Sequence, residues 1–204
     1  SKDNHPISDY LYVAGKHGIL DLKKHFENLK TSIDYEEILV KNIEGRVDLT
    51  RLETFTIDPV DAKDFDDAIS ITKTNGCIDL YVHIADVSAF VKHEDETDLV
   101  ARKLGNSYYF DEETLHMLPD ELSTNFLSLK PGVKRLAFSV KISMDEDFNI
   151  REYKFFESVI NSDKRFTYQD VEDILDAITE DTKAIMVPNL IGNKPDWALL
   201  KAGL

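Results

Sequence analysis

Five aspartates are concentrated in one short segment of the chain, at Asp58, Asp61, Asp64, Asp66 and Asp67. Carboxylates this close repel one another and raise one another's pKa, so the cluster is best explained by a cation or by an arginine from elsewhere. Magnesium suits it, because a hard cation takes oxygen ligands and keeps waters that substrate phosphates replace. Two other interpretations stay open from these residues alone: a solvated acidic turn, and a calcium loop, although the glycine and distal glutamate of an EF-hand are missing.

The aspartate segment is predicted to connect two strands. Apolar and polar residues alternate over residues 54–57 before it and over residues 68–72 after it, which is the period of a strand. Asn75 and Gly76 then form a strong hairpin signal before another alternating run over residues 78–84. The carboxylates are therefore expected at the end of a sheet.

The rest of the chain contains both helical and strand patterns. Gly105 has the position of a left-handed helix cap, and Thr167 with Asp170 resembles a capping box. The predicted fold class is α+β, a mainly antiparallel sheet with flanking helices. The predicted helices cover residues 19–29, 35–39 behind Asp34, 96–104 and 168–174, with a short one after Pro119, and a further predicted hairpin joins residues 136–144 to 150–160.

Other residues that could do chemistry are interpreted as structural. His83 lies in an alternating strand, so a buried histidine with satisfied hydrogen bonds is favoured over a general base. Asp86 and Ser88 fit a turn rather than a site. Cys77 is the single cysteine, which excludes an internal disulfide, and its apolar surroundings predict a buried small hydrophobe.

The run TFTIDPVDAKDFDDA at residues 54–68 resembles the signature of the catalytic domain of the ribonuclease II/R (RNB) family. Four aspartates of that signature have the spacing of Asp58, Asp64, Asp66 and Asp67. The resemblance implies an RNB-type catalytic domain of which this chain holds the amino-terminal half. Further segments resemble the family in the same order, at residues 82–88, 101–110, 117–129 and 164–168.

The resemblance also implies a magnesium-dependent hydrolase. Asp58, Asp64 and Asp67 would help to hold Mg²⁺, and Asp66 would be the carboxylate most closely tied to catalysis. The implied reaction is hydrolysis of the terminal phosphodiester at the 3′ end of single-stranded RNA, which releases nucleoside 5′-monophosphates. Tyr109 corresponds to a family tyrosine that packs near the 3′-terminal nucleotide, although a core aromatic is the alternative for Tyr109 taken alone.

Three parts are predicted along the chain. Residues 1–50 form an upstream region, a remnant of or linker from an oligonucleotide-binding barrel, and residues 51–177 form the partial ribonuclease II/R catalytic domain. Residues 178–204 form an unrelated tail, which resembles a strand-and-loop segment of pyridoxal-phosphate-dependent sugar aminotransferases and dehydrases. Arginines and an aromatic from the later half of the family's catalytic domain are absent, so we expect an impaired fragment that needs a carboxy-terminal half or another chain.

The composition sets the remaining expectations. A net charge of −15 argues against a general nucleic-acid-binding surface, because phosphate affinity comes mainly from Lys and Arg, so the basic RNA-gripping surface is expected in a segment outside this chain. No apolar stretch of about 18 residues and no signal-like leader is present, which predicts a cytoplasmic protein without a membrane partner.

Overall fold

A computed structural model describes residues 9–29, 34–74, 76–110 and 114–177. Along the sequence, helices precede the first strand of the sheet, occur between its strands and follow its last strand. Within the described ranges they are α1 (Asp9–Lys16), α2 (Ile19–Leu29), α3 (Tyr35–Lys41), α4 (Val87–Phe90), α5 (Glu96–Leu104) and α6 (Tyr168–Ala177), and a π-helical turn covers Leu122–Phe126.

The strands of the described residues form one large sheet and one small ribbon. They are β1 (Val47–Asp48), β2 (Phe55–Asp58), β3 (Asp67–Thr74), β4 (Cys77–Ala85), β5 (Tyr108–Tyr109), β6 (Thr114–Leu115), β7 (Lys134–Met144), β8 (Ile150–Asn161) and β9 (Lys164–Thr167). Seven strands form the sheet in the order β1-β8-β7-β4-β3-β2-β9, and β5 pairs with β6. Only the outer pairs β1–β8 and β2–β9 of this sheet are parallel, which confirms the α+β class with a mainly antiparallel sheet.

Local sequence signals account for most element ends. Asp34 accepts a hydrogen bond from the Glu37 amide at 2.9 Å and begins α3, and Gly105 ends α5 with φ at 78°. Thr167 and Asp170 exchange the reciprocal bonds of a capping box before α6, at 2.7 and 3.0 Å. These predicted helices are therefore confirmed, together with the two hairpins.

Three apolar clusters hold the helices in place. The largest joins α3, α4 and the π-helical turn to the sheet, with Tyr35 and Phe126 ring centroids 5.6 Å apart. A second cluster joins α1, α2 and α5 to the β5–β6 ribbon, whose Leu115 is buried. In the third, Ile174 of α6 covers β2 and β9. The second cluster matters for function because it supports the strand that carries Tyr109.

A line of buried hydroxyls crosses the sheet and has a histidine at its centre. Thr54 lies 2.7 Å from Ser70, which lies 3.0 Å from Nε2 of His83. Nδ1 of His83 lies 2.7 Å from Ser139, and Ser139 lies 2.6 Å from Ser158. All five side chains are fully buried, and the line joins β3, β4, β7 and β8 to the residue that precedes β2.

The hydrogen bonds of this line fit a neutral histidine. Thr54 donates to the carbonyl of Leu52 at 2.8 Å, so Ser70 donates to Thr54 and Nε2–H of His83 donates to Ser70. Nδ1 then accepts from Ser139. Burial lowers the pKa of His83 to about 4, in keeping with this tautomer. The prediction of a satisfied structural histidine is confirmed.

Three features differ from the sequence predictions. The segment before Gly18 has no clear helical pattern, yet it contains α1, because Ala14 packs into the second cluster. The helix after Pro119 is a π-helical turn. Cys77 is exposed, so its prediction as a buried residue was wrong: it begins β4 at the hairpin turn, where the sheet has no cover.

One face of β4, β7 and β8 leaves apolar side chains exposed. Ile84 pairs across the strands with Phe138, whose ring stacks on Phe155 with centroids 6.3 Å apart. Between 47% and 67% of the surfaces of Ile84, Phe138, Tyr153 and Phe155 is exposed. These side chains form one exposed apolar surface on three neighbouring strands.

Several predictions concern residues that the structure does not describe or does not test. The tail at 178–204, with its resemblance to sugar aminotransferases, lies outside the described residues. The described part of residues 1–50 consists mainly of α1, α2 and α3, and its assignment to a barrel remnant or linker stays a prediction. None of the helices in the described ranges combines the length and apolar character needed to cross a membrane.

Candidate active site

The aspartate segment forms the loop between β2 and β3. Hydrogen bonds from Ser128 and Leu129 hold the backbone of this loop in place. The Ser128 hydroxyl donates to the carbonyl of Lys63 at 2.7 Å and accepts from the amide of Phe65 at 3.1 Å. The amide of Leu129 donates to the Phe65 carbonyl at 2.9 Å. The loop backbone is therefore held in one conformation in spite of the repulsion among its carboxylates.

Arg165 fixes the same loop from the side of β9. Its guanidinium donates to the carbonyl of Pro59 and lies 5.4 Å from the ring centroid of Phe65. Because β2 and β9 are parallel neighbours, Arg165 also stands close enough to Asp58 for its charge to lower the pKa of that carboxyl. Of the two predicted neutralising groups, a cation or an arginine, Arg165 therefore supplies a nearby arginine, although the pKa of Asp58 remains raised.

A cleft of about 800 Å³ opens above the loop. Asp58, Asp64 and Asp66 line it on one side, and Tyr109 lines it from the β5–β6 ribbon. Asp61, Phe110, Thr114, His116, Asp120 and Thr124 contribute further to its walls. The structure therefore brings three of the four predicted catalytic aspartates and the predicted RNA-binding tyrosine to one cavity.

The fourth predicted residue, Asp67, is the first residue of β3, and its side chain is exposed. Asp67 does not line the cleft, but its negative charge interacts with two residues that do, because it raises the pKa of both Asp58 and Asp66. Its role as a metal ligand stays a prediction.

Two carboxylates in the cleft are unfavourably placed as charged groups. Desolvation is the main cause that raises the pKa of Asp58, and the charge of Asp67 adds to it. The pKa of Asp66 is raised by desolvation and then by the charges of Asp64, Asp67 and Asp58, although its surface remains accessible from the cleft. Groups with perturbed pKa values in a cleft are candidates for a functional site.

Tyr109 contacts the aspartates directly. Its hydroxyl donates to Oδ2 of Asp64 at 2.8 Å, while 66% of its surface stays exposed. Burial of its hydroxyl end, and then the hydrogen bond to Asp64, raises the pKa of Tyr109. Tyr109 therefore orients a carboxylate and still presents an aromatic surface on which a base can stack.

The donor set of the cleft fits a hard divalent cation. Oδ2 of Asp58 is buried and makes no hydrogen bond of good geometry, although the nearby Thr56 hydroxyl lowers the pKa of this carboxyl, and the neighbouring ligand atoms are carboxylate oxygens. In the described part of the chain no three His, Cys, Asp or Glu side chains form a ready metal cage.

Sequence reasoning missed three residues of the site. Ser128 and Arg165 lay within segments that resemble the family, but their contacts with the loop come from distant parts of the chain. His116 carried no signal beyond its place next to the resembling Met117. Its Nδ1 lies 3.8 Å from Oδ2 of Asp64 and is buried without a hydrogen-bond partner.

Sequence comparisons find the same family as the aspartate signature. The family model of the RNB domain matches residues 46–194. Ribonuclease R of Aquifex aeolicus is 48% identical over 136 residues, which are 66% of this chain and 19% of that protein. Ribonuclease R of Vibrio cholerae is 41% identical over 159 residues, which are 76% of this chain and 19% of that protein. The chain thus spans about a fifth of the length of these relatives.

Solved structures with similar folds belong to full-length proteins as well. RNase R of Mycoplasma genitalium, in complex with ribose-methylated single-stranded RNA, superposes with a TM-score of 0.70 at 32% sequence identity. The match covers 89% of this chain and 26% of the RNase R chain. Yeast Ssd1, a pseudonuclease, superposes with a TM-score of 0.62 at 20% identity, over 72% of this chain and 19% of its own, which shows a common fold alone. Since the RNB domain match spans well over half of the residues, this chain belongs to the RNB domain family.

Proposed function

We propose that this chain contributes the aspartate side of a magnesium-dependent exoribonuclease site. That site hydrolyses single-stranded RNA from the 3′ end and releases nucleoside 5′-monophosphates. The observation that carries the proposal is the cleft in which Asp58, Asp64 and Asp66 face Tyr109, with raised pKa values at Asp58 and Asp66. Membership of the RNB family supports the same reaction class.

Asp58, Asp64 and Asp67 are the residues that would hold Mg²⁺. The chemistry that Mg²⁺ supplies when bound is neutralisation of phosphate charge and activation of a water. The unpartnered Oδ2 of Asp58 supports its assignment, since a buried carboxylate oxygen without a donor is otherwise unfavourable.

Asp66 orients the attacking water in the proposed mechanism by accepting a hydrogen bond from it. The water attacks the terminal phosphorus in line with the 3′ oxygen of the preceding nucleotide, which leaves with the shortened strand. The phosphate stays on the released nucleotide as a 5′-monophosphate. Tyr109 holds Asp64 through its hydroxyl and offers its exposed ring to the terminal base.

The acidic charge of the chain bears on its partners. With a net charge of −15, the described surface attracts cations better than RNA, so affinity for the RNA backbone is proposed to come from a carboxy-terminal half or from another chain. Turnover by this chain alone is expected to be weak, because contacts to the scissile phosphate typically contribute several kcal/mol, about 3, to transition-state stabilisation.

A denaturing-gel time course tests the proposal. RNA labelled at its 5′ end is incubated with magnesium and either the chain or its Asp66→Asn variant. The Asp147→Asn variant is the matched control, because it removes the same negative charge at a site far from the cleft. Asp147 lies in the exposed turn between β7 and β8, at the end of the sheet opposite the aspartate loop.

Stepwise shortening from the 3′ end that requires Asp66 but not Asp147 would support the proposal. Nucleolysis that is insensitive to Asp66→Asn would contradict it. No cleavage by any of the folded proteins would favour the alternative function, a catalytically inactive metal-binding or RNA-binding segment.

A further inference from the structure

The inference concerns His116, which the proposed reaction leaves without a role. His116 directly follows β6 and lines the cleft next to Asp64 of the aspartate loop. Only 9% of its side-chain surface is exposed. Its Nδ1 is buried and makes no hydrogen bond, which is an unfavourable state for a polar nitrogen unless a ligand completes it.

The distance between Nδ1 of His116 and Asp64 indicates what kind of group can hydrogen-bond to this nitrogen. Nδ1 and Oδ2 of Asp64 are 3.8 Å apart, which is too far for a direct hydrogen bond. One oxygen about 2.8 Å from each atom fits this gap with an apex angle of about 85°. A single small group can therefore bridge the imidazole and the carboxylate.

The bridging group must donate a hydrogen bond to Asp64 and accept one from Nδ1–H of His116. Asp64 is an acceptor, so the group needs a hydrogen for it, and Nδ1–H of the imidazole then donates to the same oxygen. A phosphate oxygen only accepts and would be repelled by the carboxylate. A hydroxyl satisfies both atoms and carries no charge.

We infer that His116 and Asp64 bind the 2′-hydroxyl of the terminal nucleotide, so that His116 is a specificity residue that distinguishes RNA from deoxyribose ends. The inference rests on the proposed function. The sugar lies only a few bonds from the phosphate, so a ribose in this cleft reaches Asp64 while the phosphate faces the other aspartates. Tyr109, which donates to the same Oδ2, leaves room for this contact because a carboxylate oxygen accepts more than one hydrogen bond.

Binding of mononucleotides to the full chain tests the inference without any turnover. The probes are uridine 5′-monophosphate, its 2′-deoxy form and its 3′-deoxy form, with magnesium present. Uracil has no exocyclic amino group that could imitate the hydroxyl. Nitrogen-15 NMR of the histidine rings, with His116 assigned by its loss in His116→Asn, reports the contact at Nδ1, and the same titration gives the affinity.

We expect the ribonucleotide to shift the Nδ1 resonance of His116 and the 2′-deoxy form to bind about ten-fold more weakly, whereas the 3′-deoxy form should bind as the ribonucleotide does. Weaker binding of the 3′-deoxy form alone would contradict the inference, because DNA also carries a 3′-hydroxyl. His116→Phe keeps the ring shape but removes the nitrogens, so it should lose this discrimination. His116→Asn places an amide near the position of Nδ1 and should retain most of it. His93→Phe, at an exposed histidine outside the cleft wall, is the control and should bind as the unchanged chain does.

Two results would overturn the inference, and they differ in what else they reject. If the nucleotides shift Tyr109 but bind with equal affinity and leave His116 unchanged, the inference fails and the proposed function stands. If no cleft resonance responds to any nucleotide, the inference fails together with the proposed nucleotide site.

Discussion

The hydroxyl line across the sheet and the carboxylates of the cleft differ in whether their polar atoms have partners. Around His83 every side-chain nitrogen and oxygen is hydrogen-bonded, and the group is held neutral. In the cleft, Oδ2 of Asp58 and Nδ1 of His116 have none. Buried polar groups that are fully paired specify structure, whereas unpaired ones are unfavourable unless a ligand binds. The difference separates a structural histidine from a candidate site.

The largest expected effect tests the cleft. Asp66→Asn should slow shortening of single-stranded RNA from its 3′ end by about 10³-fold, because it removes an interaction made to the reacting groups. The free energy of unfolding, measured by urea denaturation, should not fall, since the replaced carboxylate is repelled by its neighbours. A loss of stability of the size expected for a paired carboxylate would contradict the comparison.

The same substitution at a paired carboxylate should have the opposite outcome. Asp86 accepts from Arg46 at 2.6 Å, with both side chains buried, and from Ser88 at the same distance. Although burial alone would raise its pKa, these two hydrogen bonds keep the pKa of Asp86 below its usual value. Asp86→Asn leaves the buried Arg46 with only the exposed Glu157 carboxylate, 3.9 Å away, as an acidic partner. It should lower the free energy of unfolding by about 3 kcal/mol, measured in urea at neutral pH. An unchanged urea midpoint would show that the pair is not structural.

The pH dependence of stability sharpens the comparison at His83. The unfolded chain takes up a proton at His83 as pH falls below about 6.5, whereas the folded chain does so only near 4. Stability should therefore decrease between these values by up to about 3 kcal/mol relative to neutral pH. Urea unfolding of the chain and of His83→Gln at pH 7, 5.5 and 4.5 measures this contribution as the difference in slope. Parallel slopes would exclude a buried neutral imidazole.

The smallest effect concerns one hydroxyl of the same line. Ser139→Ala removes the donor to Nδ1 of His83 and should destabilise the fold by about 1 to 3 kcal/mol, because a buried acceptor is left unpaired. Ser123→Ala is the control, since its hydroxyl makes only a 3.5 Å contact. Equal urea midpoints for the two variants would mean that the line contributes little.

Local signals explain how much of this could be predicted from the sequence. Helix α5 was predicted with both ends, because Gly105 ends it with a left-handed conformation that needs no tertiary context. The aspartate loop was predicted because two strand patterns bracket it. The contacts of Ser128 and Arg165 with that loop span at least 63 residues of sequence, so no local pattern predicts them. Exposure of Cys77 likewise depends on the cover of the sheet, which its own segment does not encode.

The parallel pairing of β2 with β9 has a consequence for the order of folding. It joins the strand before the aspartate loop to residues more than 100 positions later, through Thr54 with Asp163 and Pro59 with Arg165. Contacts this distant in sequence form slowly, and a chain under synthesis cannot make them until the later strand has left the ribosome. We therefore expect the cleft to be the last part of the described chain to assemble. A nascent chain would therefore have no ordered aspartate loop until β9 has been synthesised.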